Sequence, residues 1–410
     1  MLKALKVWGT LRALLRAALL YGAPAIVTSA LAQTPLPAVA PPATPTPLGV
    51  DAPHIALLLP VDSSTFRRHA EALRDGFLAA SKIPDPPKLT IRVYPVGEDA
   101  KQAVAAYKQA TSTGARLVIG PLIRSAATAV AAGDISVPTL LLNAPDGTLP
   151  DKSNLYVLSL QIETEAQQAA QLAWREGRRS AYTLTGESQL LRRANRAFIE
   201  EFVKLGGKHV GEFLYNVSPA ELTRLKLAVD SRSADMAFLS LDVRQTRAVR
   251  ATLEPLALYA TSQAYGGDLS PGAVVDLTGI RVFDMLWLLQ REHPVVMIYP
   301  RLEHGDADLQ RLYALGIDAW RIGQALLARH TDINLDGVTG KLSQARDRQF
   351  TRELATARLG ANLPEAPVGP VPTPPPPAKP TVPVATKPAS ALTATPAAAS
   401  SAKTTVPAKP

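Results

Sequence analysis

His54-Ile55-Ala56-Leu57-Leu58-Leu59-Pro60-Val61 is a continuous apolar run. A strand with one solvated face alternates apolar and polar residues, whereas a strand buried on both faces reads as an unbroken apolar stretch. The run therefore predicts a central strand of a parallel sheet covered by helices on both sides. The neighbouring segments agree. Arg67 to Lys82 has helical periodicity, with Ala70, Leu73, Phe77 and Ala80 on one stripe. Leu89 to Val96 reads as a strand, and Asp99 to Thr113 as a helix whose N-terminus Asp99 favours. Arg116 to Leu122 is a third strand running into a turn, Ser125 to Ala132 a small-residue helix, and Thr139 to Asn143 a fourth strand.

A second set has the same rhythm. Tyr156 to Leu160 is a strand or crossover, followed by a helix over Thr164 to Glu176 and a strand over Ala181 to Thr185. Gln189 to Leu205 is a helix closed by Gly206-Gly207. A strand over Val210 to Tyr215 precedes a helix over Pro219 to Val229 with Ser218 as N-cap. Strands at Met236 to Leu241 and Leu258 to Ser262 flank a helix over Arg244 to Leu253. Such alternation implies α/β architecture, with mostly parallel sheets and helices on both faces. Two open units of ~100 to 150 residues fit two lobes better than one long sheet. The two-lobed domain is expected over 54–364: a first lobe at about 54–150, a second at about 156–260, and closing segments over 261–364 shared by both.

The ends have a different character. Lys3, Lys6, Arg12 and Arg16 precede an apolar run from Ala17, and Ala30-Leu31-Ala32 forms a small-residue cleavage site. Residues 1–32 thus read as a secretory signal peptide. The run is interrupted by Tyr21, Gly22 and Pro24, and is short for a bilayer core of ~20 residues. Residues 33–53 form a Pro/Ala-rich linker, and residues 365–410 a Pro/Ala/Thr/Lys tail expected to be disordered or polyproline-like. These ends imply export to the periplasm; the Pro/Lys tail reads first as a passive spacer, with contact to peptidoglycan as the alternative. The chain has no cysteine, which excludes disulfides, thiol nucleophiles and thiolate metal sites. An outer-membrane lipid anchor on cysteine is not expected either.

The net charge is +9, but the ends supply most of it. Without residues 1–32 and 365–410, 36 basic and 34 acidic residues remain. Nucleic-acid binding requires a concentrated basic stripe, and aromatic residues, at 5%, are too few for a base-stacking platform. Catalysis lacks a constellation: there is no H-E-x-x-H, G-x-S-x-G or Walker-type loop. Histidines at 54, 69, 209, 293, 304 and 330 are scattered without metal-ligand spacing. Asp332, Asn334, Asp336 and Gly337 mimic the start of a calcium loop, but the position needing an acid is Ser343, and Lys341 is nearby. A β-hairpin with Asp336-Gly337 supplying positive φ is expected instead. No catalytic residue, cofactor or metal is assigned.

Open α/β sheets bind ligands at the carboxyl ends of their strands. Loops at Asp62 to Thr65, Gly120 to Leu122, Asn143 to Gly147, Gly186 to Gln189, Asp242 to Arg244 and Ser262 to Tyr265 would then face one cleft. Its candidate lining is Ser63, Ser64, Gly120, Pro121, Asn143, Ser262 and Gln263. Gly120-Pro121 reads equally as an anion-binding corner and as a plain strand-to-helix turn. The sequence names no small ligand. Arg281 to Leu289 is apolar enough to be core.

Ile55 to Pro60, Gly76-Phe77, Val118 to Leu122, Leu141 to Asn143, Ser262 to Tyr265, Phe283 to Met285, Arg311 to Trp320 and Gly337 to Leu342 form an ordered set. In order and spacing the set resembles the C-terminal domain of the LpoA (LppC-type) penicillin-binding protein activators, over roughly residues 52–360. The resemblance implies a type I periplasmic-binding-protein fold. It also implies a non-enzymatic regulator that stimulates a bifunctional peptidoglycan synthase by direct contact. The chain departs from the family in lacking the lipidation cysteine and the N-terminal helical repeat domain of larger members. The same fold also serves solute-binding proteins, for which Ser63, Ser64, Asn143 and Ser262 would greet an amino-acid-like ligand. Within Arg311 to Trp320, Leu312, Leu315 and Trp320 are expected to pack, with Arg311 and Asp318 facing solvent or pairing.

Overall fold

Strand β1 (His54–Leu59) is buried along its whole length and pairs in parallel with β2 (Thr90–Pro95) on one side and β3 (Ala115–Ile119) on the other. The computed structural model describes residues 52–84 and 88–360. The expected signal peptide, nearly all of the linker and the tail lie outside the described residues. β4 (Thr139–Leu141) and β5 (Leu155–Val157) complete a five-stranded parallel sheet in the order β2-β1-β3-β4-β5. Helices α2 (Ala100–Ser112) and α3 (Arg124–Ala132) cover one face, burying Ala103, Tyr107, Ala127 and Val130 against Ala56, Leu58 and Val118. On the other face, α1 (Arg67–Ser81) buries Leu73 and Phe77 against Ile55, Leu57 and Leu59. Asp99 caps α2 through the amide of Lys101, as its position in sequence predicts.

The second lobe repeats the plan. β6 (Ser180–Thr185), β7 (Lys208–Leu214), β8 (Met236–Ser240), β9 (Ala257–Ala260) and β10 (Arg281–Asp284) run in parallel, and β14 (Ala355–Arg358) adds an antiparallel edge. The order is β14-β10-β9-β8-β6-β7. α4 (Ile162–Arg175) and α5 (Gln189–Lys204) pack on one face through Ala166, Ala170, Phe198 and Phe202. α6 (Pro219–Asp230), α7 (Val243–Arg250) and the short α8 (Pro271–Val274) lie on the other. Ser218 caps α6 by accepting from Glu221, and α5 ends at Gly206 in the left-handed conformation. β9 stops at Ala260, so Ser262 to Ala264 form a single 3-10 turn instead of extending the strand.

The closing segments return to the first lobe. α9 (Leu286–Leu289) and α10 (Pro294–Met297) lead into α11 (Ala307–Leu327), which packs against α1. Trp287 is fully buried, as the apolar Arg281 to Leu289 stretch predicts. β11 (Asn334–Gly337), β12 (Gly340–Gln344) and β13 (Phe350–Glu353) form a three-stranded antiparallel sheet on the same core. The expected hairpin is present, but Asp336-Gly337 is not its positive-φ corner. Gly337 is the last residue of β11, Val338 and Thr339 make the turn, and positive φ falls on Gly340. The reason is Asp318, whose carboxylate captures the turn amides from outside the hairpin. Among the described residues, no helix is long and apolar enough to cross a membrane.

Candidate functional site

The chain passes between the lobes three times: after β5, after β10, and between β13 and β14. A buried polar network joins all three passages. Arg311 on α11 is 8% exposed and Asp284, at the end of β10, 1%. Arg311 Nη2 donates to Asp284 Oδ2 at 2.7 Å, and its Nε donates to both carboxylate oxygens at 3.2 Å. The same guanidinium reaches Asp308 Oδ1 at 2.6 Å and the Ser262 carbonyl at 3.2 Å. Tyr265 Oη donates to Asp284 at 2.9 Å, and the Ser262 amide to Glu165 Oε2 on α4 at 2.9 Å. At the third passage, Arg352 donates to the carbonyls of Ser159, in the first passage, and Thr339, in the hairpin turn. Gln168 on α4 bonds the backbone on either side of Glu353: it donates to the Arg352 carbonyl and accepts from the Leu354 amide.

The electrostatics follow from burial and pairing. Burial, reinforced by the neighbouring Asp284, pushes the Glu165 carboxyl up to about 7 against the Ser262 amide and two guanidinium groups. Burial would depress Arg311, but the Asp284 carboxylate more than offsets it and drives the guanidinium above its ordinary value. Arg352 is lowered by burial. Asp318, which is fully buried, is raised by burial although Arg321, Thr339 and Val338 all favour its charged form. The alternative that Arg311 and Asp318 face solvent is corrected: both are core residues. An isolated buried charge would be prohibitive, and the partners supplied by β10, Ser262 and the hairpin turn offset part of that cost. Sequence reasoning missed Glu165 and Arg352. The two residues are 187 positions apart, and only the three passages bring them together.

The sequence-predicted cleft residues separate into two groups. Ser63 is buried, donates to Glu98 at 2.7 Å, and accepts from the amides of Thr65 and Phe66. The Ser63 and Thr65 hydroxyls hold the Glu98 carboxyl below its ordinary value. Ser64 is exposed. Gly120 has φ +103°, and a β-carbon there would lie 2.3 Å from the Leu58 carbonyl, so only glycine fits this corner. The bond from Gly120 to Pro121 is cis. Asn143 donates to the Leu122 carbonyl, tying two first-lobe loops together. In the second lobe Ser262 belongs to the buried network. Gln263 lines a cavity of about 540 Å³ with Glu187, Ser188, Tyr215, Asn216 and Asp242. A smaller cavity of about 300 Å³ opens between the Ala144 to Leu149 loop, Gln161, Glu163 and Gln349. Of the seven candidates, only Gln263 lines either cavity. Among the described residues, no group of three or more acids or histidines could hold a metal ion.

This two-lobed geometry is shared with known proteins. The LpoA C-domain from Haemophilus influenzae, described as a regulator of PBP1A, superposes with TM-score 0.63 at 21% identity, over 75% of this chain and 97% of that one. At this identity the likeness speaks for the fold. A protein from Chromobacterium violaceum described as a "putative branched-chain amino acid ABC transporter" superposes with TM-score 0.65 at 33% identity, over 75% of this chain and all of that one. Among curated proteins, the penicillin-binding protein activator LpoA of Pantoea ananatis is 27% identical over 299 residues, 60% of this chain and 43% of the relative. That of Edwardsiella piscicida is 26% identical over 321 residues, 68% of this chain and 46% of the relative. The chain thus spans less than half the length of these curated relatives. The family model described as "LppC putative lipoprotein" matches residues 49–227 and 227–361, which together take in both lobes and every closing segment. The chain belongs to the LppC family, that of the LpoA penicillin-binding protein activators.

Proposed function

We propose that this chain is a periplasmic, non-enzymatic regulator that binds a peptidoglycan synthase of the penicillin-binding protein class and raises its activity. The curated relatives are named penicillin-binding protein activators. The observation that carries the reading is what has become of the cleft. Ser63, Asn143 and Ser262 are engaged with protein atoms, and the buried Arg311–Asp284 ion pair, with the buried hydrogen bonds of Arg352 and Glu165, latches the passages between lobes. A trap that closes on a solute needs free convergent donors and a mobile hinge; a latched pair of lobes instead offers a fixed outer surface. Such a surface activates a partner by binding its active conformation more tightly than its inactive one. Glycan polymerisation and crosslinking by a purified synthase, with and without the full chain, test the reading. Unchanged rates together with no measurable binding would overturn it.

A solute-binding reading is favoured by one observation, the name of the 33% identical Chromobacterium protein. The cavity at Gln263, with the carboxylates of Glu187 and Asp242, would be its place. A ligand bound only by the folded state raises the unfolding temperature by mass action. Stabilisation by leucine, isoleucine or valine would support this reading; an unshifted transition would remove it.

A further inference from the structure

A cavity of about 1170 Å³ opens at the amino-terminal ends of the first-lobe strands, the end away from the passages between lobes. Small-molecule sites occupy about 300–1,000 Å³, so this groove is sized for a chain segment. Its floor is apolar: Ile55, Tyr156, Trp320 and Leu326. Its rim carries Lys88, Arg116 and Arg329, all exposed, and no Asp or Glu is among the described residues that line it. None of the three cations forms an ion pair or side-chain hydrogen bond with a described residue. A second observation sets Arg329 apart. It follows the C-cap of α11 at φ 59°, where the His330 amide bonds back to Ala325 and the Arg329 amide to Leu326. That position normally takes glycine, because a β-carbon is strained there. The fold holds a strained residue whose guanidinium sits on the groove rim and has no partner among the described residues.

We propose that this groove docks an apolar segment bearing carboxylates, contributed by the partner protein. The proposal rests on the regulator reading, in which that partner is the synthase. Charge selects the occupant. The chain's own ends have the same sign as the rim: four basic and no acidic residues in 1–32, and four lysines against Glu365 in 365–410. Apolar side chains of the segment would cover the half-buried Tyr156 and Leu327, and its carboxylates would meet Lys88, Arg116 and Arg329. Charges on a rim mainly set association rate and salt dependence, so binding should weaken as salt is raised.

The test uses the full chain carrying Lys88→Glu, Arg116→Glu and Arg329→Glu together. These side chains are exposed and unpaired among the described residues, so thermal unfolding should be little changed, while affinity for the purified synthase falls on the order of tenfold or more. Arg329→Gly is the second variant: it relieves the strained position, so it should unfold at a higher temperature yet bind the synthase more weakly. A purely structural role for Arg329 would not give that combination. If the triple variant binds and stimulates the synthase like the parent, the proposal is overturned. If the unaltered chain does not bind the synthase, the regulator reading falls, and a labelled peptide of alternating glutamate and leucine probes the groove itself. Preference for that peptide over a lysine–leucine one, lost in the triple variant, supports the groove; no preference, or a preference retained, overturns it. Self-association abolished by the triple reversal, with synthase binding intact, would assign the groove to a second copy and overturn the proposal as stated.

Discussion

Gly76 on α1 and Gly316 on α11 lie at the point where the two helices cross, and each sits against the other's backbone. A β-carbon at Gly76 would come within 1.9 Å of the Tyr313 carbonyl, and one at Gly316 within 2.0 Å of the Leu73 carbonyl. This contact brings a helix that comes after the second lobe onto the first-lobe sheet. It places Trp320 edge-on against Phe77, with ring centroids 5.3 Å apart.

Gly316→Ala should therefore destabilise the protein although alanine is the better helix former by about 1 kcal/mol. The clash is with backbone, which cannot swing aside, and overpacking costs about 1–3 kcal/mol, more where the structure cannot yield. Urea unfolding of the parent and the variant measures the difference. A variant as stable as the parent would mean that the helices can separate without cost, contrary to so close a crossing.

Removing Arg311 should be more damaging than removing a surface arginine. Among the described residues, Arg311→Ala leaves Asp284 buried with only Tyr265 and the Met285 amide as donors, beside a second buried carboxyl at Glu165. Breaking a buried pair from one side costs about 3–5 kcal/mol. Arg311→Lys keeps the charge but cannot reach Asp284, Asp308 and Ser262 at once, so its loss should fall between those of parent and alanine variant. Equal unfolding midpoints for the lysine variant and the parent would show that charge alone, and not the fork of donors, is what matters.

How much of this was readable in the chain depends on the range of the interaction. The parallel lobes were legible because His54 to Val61 and Met236 to Leu241 carry their burial in local composition. Asp99, Ser218 and Gly206 were legible as caps because a cap is a local bond. The Gly76–Gly316 crossing was visible only as two glycines in ordered segments, with nothing to pair them. Arg311 and Asp318 were the hardest to place. A charged residue within a helical apolar pattern usually faces solvent, and here each is buried because its counter-groups arrive from β10 and from the β11–β12 turn. The candidate cleft was readable as a set of loops at strand ends, but not as a set of hydroxyls and amides already engaged by neighbours.

Asp318 organises that turn. It accepts from the Val338 amide at 3.1 Å, and from the Thr339 amide and hydroxyl at 2.8 and 2.7 Å. Asp318→Ala would leave two buried amides and a hydroxyl unpaired, at about 1–3 kcal/mol for each group that water does not reach. Amide exchange should locate the damage: Val338, Thr339 and the β12 strand should lose protection while β1 and β3 keep theirs. Uniform loss of protection across the first lobe would indicate that the hairpin is an integral part of that lobe, not a separately held attachment.

The network between the lobes also predicts how stability responds to pH. Glu165 has an ordinary value of 4.5 when exposed and about 7 when buried beside Asp284, with Arg311, Arg352 and Tyr265 around it. Its folded value is raised, so between those two pH values the folded state holds a proton that the unfolded state has released. Stability must then fall as pH rises through that window. At ~1.4 kcal/mol per unit the Glu165 contribution to the fall is at most about 3.5 kcal/mol, with none well below pH 4.5 and no further loss well above pH 7. Glu165→Gln keeps an acceptor for the Ser262 amide and removes the titration. Its unfolding free energy should vary less across the window, and above pH 7 the variant should gain on the parent. Parallel pH profiles for the two proteins would place the titrating group elsewhere and leave Glu165 as a neutral spacer between the passages.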